Sequence, residues 1–296
     1  MTAFKRFRLP LQIAALFSVL PSAASADAYT SLTYGFGPDE YRSYAFKANV
    51  DIFKLPLILD LDHFLARAAD VDDTTQSGLG LTWNATKLLS ANYHHSVTGD
   101  GTYDVTGNES GLTFGLNTLW QGELRTTVDL GYGDFEYEPT AITRTRLASL
   151  LTLQQKRKSA GFSQDITPSF TIFGSHDQYE YDRDYRPFAV RRLQRPRNVG
   201  AFAFTLLSFP DKTNTLGMIW KAQESLTLDL STGKTTTILE QLQRNTRLGA
   251  DFQINDKLNL GAAITGSSTS EIVADGVTLQ QATRDTYTEI TAGWAF

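Results

Sequence analysis

The chain has 296 residues, 41% hydrophobic and 20% charged, which excludes wholesale disorder and leaves room for two ordinary soluble domains or one large β-barrel. It has no cysteine, which excludes a disulfide scaffold, thiolate zinc or iron–sulfur ligation, a cysteine nucleophile and a lipidated N-terminal cysteine. The formal charge is −5, and the first 26 residues hold Lys5, Arg6 and Arg8 without an acid, so the remainder is too acidic for a general nucleic-acid binder.

Residues 1–8 are a short positive stretch, and 9–20 are apolar but too short for a permanent membrane span. Ala24-Ser25-Ala26 offers the small residues that signal peptidase reads. Residues 1–26 therefore read as a secretory signal peptide, with 27–296 as the mature chain. No later run suits a transmembrane helix; 199–210 comes nearest and falls short.

From Tyr29 onward the chain alternates. At 124–132, Leu124, Thr126, Val128, Leu130 and Tyr132 oppose Arg125, Thr127, Asp129 and Gly131. At 226–231, three leucines oppose Thr227, Asp229 and Ser231. The segments 247–254 and 258–265 repeat the pattern, with glycines mixed into the polar face. A soluble sandwich alternates in the same way, with its apolar face turned into a core. Strands with one apolar and one polar-plus-glycine face also make a membrane barrel, with lipid on one side and a wet lumen on the other.

The last strand separates these cases. Thr286, Thr288, Ile290, Ala292, Trp294 and Phe296 share a face, and the chain stops on Phe296. This resembles the C-terminal strand of Gram-negative outer-membrane β-barrels, porin-like in class. That resemblance implies that the barrel-assembly machinery reads Trp294 and Phe296. It also implies location in the bacterial outer membrane, in contact with outer-membrane lipid and lipopolysaccharide. The expected fold is all-β: a single-domain transmembrane antiparallel barrel of about 14–16 strands over residues 27–296.

Short connections are expected near 53–56, 84–87, 120–123, 165–168 and 255–257. Longer polar ones are expected near 67–76, 98–108, 135–156, 182–197, 232–245 and 267–281. Short turns belong to the periplasm and long loops to the outside. About fifteen candidate strands emerge, whereas two periplasmic termini require an even number. A short strand hidden in 186–194 would make 16, the preferred count; assigning one candidate to a loop would make 14.

The polar faces place Lys47, Asp51, Asp60, Asp62, Arg125, Asp129, Asp229, Arg247 and Asp251 along the lumen. Mixed charges across a lumen set up a transverse field that screens solutes. Two basic segments stand out. Residues 139–164 hold Arg144, Arg146, Lys156, Arg157 and Lys158 without an acid. Residues 183–197 hold Arg183, Arg186, Arg191, Arg192, Arg195 and Arg197 with Asp184. As outer ends of neighbouring hairpins they should meet in a cationic surface. Arginine forks there would bind carboxylates or phosphates, from an acidic polysaccharide, a small anionic solute or lipopolysaccharide. Leu147, Leu150, Leu151 and Gln154 fit a short helix at the pore, while Leu147, Ser149, Leu151 and Leu153 fit a continued strand.

An enzymatic reading finds little support. Outer-membrane phospholipases and lipid A deacylases carry a His-x-Ser pair followed by Asn. Here His94-His95-Ser96 is followed by Val97, with the pair on the lumen side. Asp62-His63 and His176-Asp177 are adjacent in sequence and point to opposite faces, unlike the aspartate and Asp–His pairs of omptin-like proteases. No metal site or cofactor is expected. The sequence thus points to a passive channel or export pore for a solute or polysaccharide of anionic character. The alternatives are a non-conducting structural or adhesive barrel and, further off, a lipid-modifying hydrolase.

Overall fold

The computed structural model describes residues 28–52, 55–69, 72–101, 103–117, 124–140, 152–185, 209–274 and 277–296. Its strands in chain order are β1 (Ala28–Phe36), β2 (Arg42–Asp51), β3 (Leu57–Arg67), β4 (Thr74–Thr86), β5 (Leu89–Gly99), β6 (Tyr103–Asn117), β7 (Arg125–Pro139), β8 (Leu153–Thr167), β9 (Phe170–Tyr181), β10 (Pro210–Gln223), β11 (Leu226–Thr237), β12 (Leu242–Gln253), β13 (Leu258–Thr269), β14 (Ile272–Ala274), β15 (Val277–Gln280) and β16 (Thr283–Ala295). All but β14 and β15 form one closed antiparallel barrel, with β1 sealed against β16 from Tyr29↔Ala295 to Phe36↔Thr288. Closure leaves no unpaired edge, which is what hydrocarbon demands of a backbone.

The register fixes the faces, because directly paired residues share a side. Leu226, Leu228 and Leu230 pair with Phe252, Ala250 and Leu248. Those continue to Leu260, Ala262 and Ile264 on β13, and then to Ala292, Ile290 and Thr288 on β16. Many large apolar side chains on this face stand bare, among them Leu248 at 58% and Ile290 at 53% exposure. A large apolar surface without protein cover is a girdle for lipid, about 25 Å tall in such barrels. Trp83, Trp220, Phe252 and Trp294 mark its lower edge near the short turns, where indole and phenyl rings prefer the interface.

The barrel has 14 strands, not the preferred 16. Strand β9 pairs directly with β10, and the segment 186–194 proposed for a hidden strand lies outside the described residues. The tight turn at Glu224-Ser225 restores the parity: β10 and β11 form a hairpin whose two turn residues include no Gly, Pro or Asn to announce it. The small pair β14–β15 stands apart within the last outer connection.

Another correction concerns 98–108. The connection is only residues 100–102, with Asp100 Oδ1 accepting from the Tyr103 amide at 2.7 Å and Gly101 at φ 76°. The left-handed φ suits glycine, and a Cβ there would also strike the Asp72 side chain. Polar residues such as Thr106, Asn108 and Ser110 sit on the outward face of β6, so a strand rising past the girdle reads like a loop.

Candidate functional site

The inward face carries the charges. Lys47 and Asp51 lie on β2, Asp60 and Asp62 on β3, Arg125 and Asp129 on β7, Asp229 on β11, and Arg247 and Asp251 on β12. Each sits on the side opposite the apolar girdle. The register adds Glu109, Arg157, Asp165, Asp177, Lys221, Asp285 and Glu289 to the same side. Carboxylates outnumber cations on this wall.

Glycine positions several of these contacts. Asp62 and His94 lie on β3 and β5 with β4 between them, yet His94 Nε2 is 2.7 Å from Asp62 Oδ1. Their bond fills the space over Gly78, where a Cβ would collide with both atoms. Glu109 on β6 and Arg157 on β8 pair at 2.8 Å across Gly133, which lies between them in the register. Asp229 and Arg247 pair beside Gly249, where a Cβ would strike the Asp229 carboxylate. Asp60 accepts from Asn49 and Thr82, and Asp129 accepts from Thr113 at 2.6 Å. Asp60, Thr82, His94, Glu109, Asp129 and Arg157 border one indentation of about 430 Å³ in the lumen wall.

The outer mouth is built differently. Tyr103, Tyr137, Leu153 and Tyr181 end the inward faces of β6 to β9. Tyr185 and Phe209, at the two ends of the 182–209 connection, pack onto them together with Ile238. Tyr137 meets Phe209 edge-on at 5.3 Å between centroids, and Tyr181 stacks on Phe209 at 5.6 Å. Gln155 ties the hydroxyls together, accepting from Tyr137 at 3.1 Å and donating to Tyr181 at 2.7 Å. An apolar cluster therefore narrows the outer mouth over one sector. Sequence reading missed it because Tyr137 and Tyr181 occupy the face otherwise read as polar. Tyr103, Tyr137, Leu153 and Tyr181 at inward parity on strand ends were the available signal.

The basic set divides. Arg144, Arg146, Arg186, Arg191, Arg192, Arg195 and Arg197 lie outside the described residues, as do the leucines 147–151. Arg157 belongs to no loop: it sits within β8, faces the lumen, pairs with Glu109 and lies 5.9 Å over the Phe135 ring. Strand β8 begins at Leu153, further out than expected, which carries Arg157 into the wall. Arg183 follows β9 and pairs with Asp182 at 3.0 Å. Burial alone would raise the Asp182 carboxyl. Bonds from the Tyr185 hydroxyl, the Gln154 amide and Arg183 outweigh it and hold the group below its ordinary value.

His94 and Ser96 both face the lumen, and the His94 ring is engaged by Asp62. His63, His95 and His176 face outward, on Ser77, Asn108 and Asn214 respectively. Among the described residues, no group of three or more potential ligands converges as a metal site.

No family model matches the chain, and no curated protein matches it. Solved structures do resemble it. The CymD monoaromatic hydrocarbon channel aligns at 8% identity over 92% of this chain and 88% of its own, with a TM-score of 0.52. OccAB1 of Acinetobacter baumannii aligns at 7% identity over 92% and 96%, with a TM-score of 0.48. The KdgM porin in complex with disordered oligogalacturonate aligns at 6% identity over 90% and 99%, with a TM-score of 0.43. The fold is that of a porin-like outer-membrane β-barrel.

Proposed function

We propose that this barrel is a passive channel whose lumen favours cationic and neutral solutes over anionic ones. The supporting observation is the balance on the inner wall. Arg157 and Arg247 are spent on Glu109 and Asp229. Among the described residues, the inward charges that enter no ion pair include Asp51, Asp129, Asp177, Asp251 and Glu289, which outnumber Lys47, Arg125 and Lys221. Low-dielectric walls focus such a charge into the aqueous path and raise the local concentration of cations. A barrel of 14 strands is wider than the roughly eight-stranded barrels that side chains fill.

Passage of an anionic polysaccharide would rest on the basic connections. The two arginines of that set within the described residues, Arg157 and Arg183, are already paired with carboxylates, which favours the cation reading. The work attributed to the lumen is passage without turnover: among the described residues His94 Nε2 bonds Asp62, and no hydrogen bond joins His94 to Ser96. The test is reversal potential in a planar bilayer under a potassium chloride gradient. The expected result is conductance with potassium preferred, less so as salt rises. Chloride preference would reinstate the anionic reading, and absence of conductance would favour a structural or adhesive barrel.

A further inference from the structure

The outer rim carries a second charged feature, on the lipid side. The outward residues of β11 run Leu226, Leu228, Leu230, Thr232 and Lys234 from the short turn upward. At the top of the girdle the register sets Lys234 opposite Arg244, Arg244 opposite Ser268, and Ser268 opposite Arg284. Three cations thus follow one register row across β11, β12 and β16, and all three are exposed. Among the described residues none of the three enters an ion pair. Like charges directly opposite on neighbouring strands are destabilising unless something neutralises them.

The space around the row is shaped for a headgroup. Arg244, Ser268 and Arg284 border a groove of about 470 Å³. Arg244 and Arg284 are two strands apart, about 10 Å between backbones, so both guanidinium forks can reach one group above Ser268. One step below lie Thr246, Gly266 and Thr286, and a Cβ on Gly266 would meet nothing within 4 Å. Below them Leu248 and Ile264 begin the apolar girdle. The layers read cation, hydroxyl, hydrocarbon, in the order of phosphate, sugar or glycerol, and acyl chain in a membrane lipid.

We infer that Lys234, Arg244 and Arg284 form a specific site for a phosphorylated glycolipid of the outer leaflet, with its phosphate between the two arginines and its acyl chains on Leu248 and Ile264. The site is independent of the lumen and of what passes through it.

The test uses the full barrel in detergent, titrated with diphosphorylated lipid A and with the same lipid after phosphate removal, read by native mass spectrometry. The site requires the phosphorylated lipid to bind more tightly; equal binding overturns it without any variant. R244Q/R284Q, which keeps size and polarity, should weaken binding about 10- to 30-fold, from the roughly tenfold or less that each surface cation contributes. K156Q/K158Q on β8, three strands away from β11, should change it less than twofold. An equal loss in both variants would reduce the site to general charge and overturn it. Inorganic phosphate alone at millimolar concentration should not displace the lipid. Displacement would identify a soluble anion site and overturn the lipid assignment.

Discussion

Two sectors of the outer rim are made from the same secondary structure and solve opposite problems. In β6 to β8, each 15 residues long, the wall rises past the girdle and carries outward charges of both signs, with Asp104 opposite Glu138 and Lys156 between two acids. Lys156 lies opposite both Asp134 and Glu180, and Lys158 bonds Glu180 at 2.6 Å. Inside that sector the mouth is closed down by Tyr137, Tyr181 and Phe209. In β11 to β13, each 12 residues long, the rim stops near the girdle, and among the described residues Lys234 and Arg244 enter no ion pair. The difference shows that strand length beyond the lipid decides what an outward charge meets. A tall wall carries its outward charges, like-charged neighbours included, into water that screens them, whereas a short one holds them beside headgroups.

The largest expected effect breaks the assignment of faces. Ala250→Arg, outward between Leu248 at the top of the girdle and Phe252 at its lower edge, places a charge in the middle of the lipid girdle and should cost about 2–4 kcal/mol. Thr265→Arg, on the lumen side of the neighbouring strand, should cost well under half of that. Urea titration of refolding into vesicles measures both. Equal costs would mean that the two faces are not lipid and lumen.

The next effect belongs to the tall sector. Phe209 is 4% exposed, and Phe209→Ala should lose about 3 kcal/mol or more from the mouth cluster. Single-channel conductance should rise with it, because the ring narrows the mouth; unchanged conductance would place the constriction elsewhere. A smaller effect follows from Gly249→Ala. A Cβ there drives Asp229 from Arg247, with an expected cost of about 1–3 kcal/mol for overpacking and a noisier open state.

The smallest effect is acid-linked. The Asp182 carboxyl lies below its ordinary value, so its contribution is full above the ordinary carboxylate range and is lost as pH falls through the lowered value. The Gln154 amide donates to Asp182, so its hydrogen-exchange protection should fall below about pH 4. Asp182→Asn should remove that pH dependence; a variant with the same profile would move the acid sensitivity to another group.

The faces were legible in the sequence wherever one side meets lipid. The leucines of 226–231 against Thr227, Asp229 and Ser231 read directly as outside and inside. Legibility ended where both faces turn polar. The outer half of β6 reads as a loop for that reason, and so does the start of β8 that carries Arg157. The glycines 78, 133 and 249 read only as small and polar-compatible. Their use, making room for a charged contact beside or across a strand, appears once the register sets their neighbours. The mouth cluster joins residues from β6 to β9 with Phe209 and Ile238, a non-local contact that alternation does not encode.

An aqueous lumen with a negative wall can be probed directly, because the chain holds no native cysteine. Ser231→Cys puts one thiol on the inward face of β11, opposite Gly217 and Arg247. Its rates of reaction with a cationic and an anionic methanethiosulfonate in vesicles report water access and the sign of the local field together. A wet, negative lumen gives labelling by both, with the cationic reagent faster by about tenfold at low salt and the preference shrinking as salt rises. No labelling, or faster reaction of the anionic reagent, would contradict it.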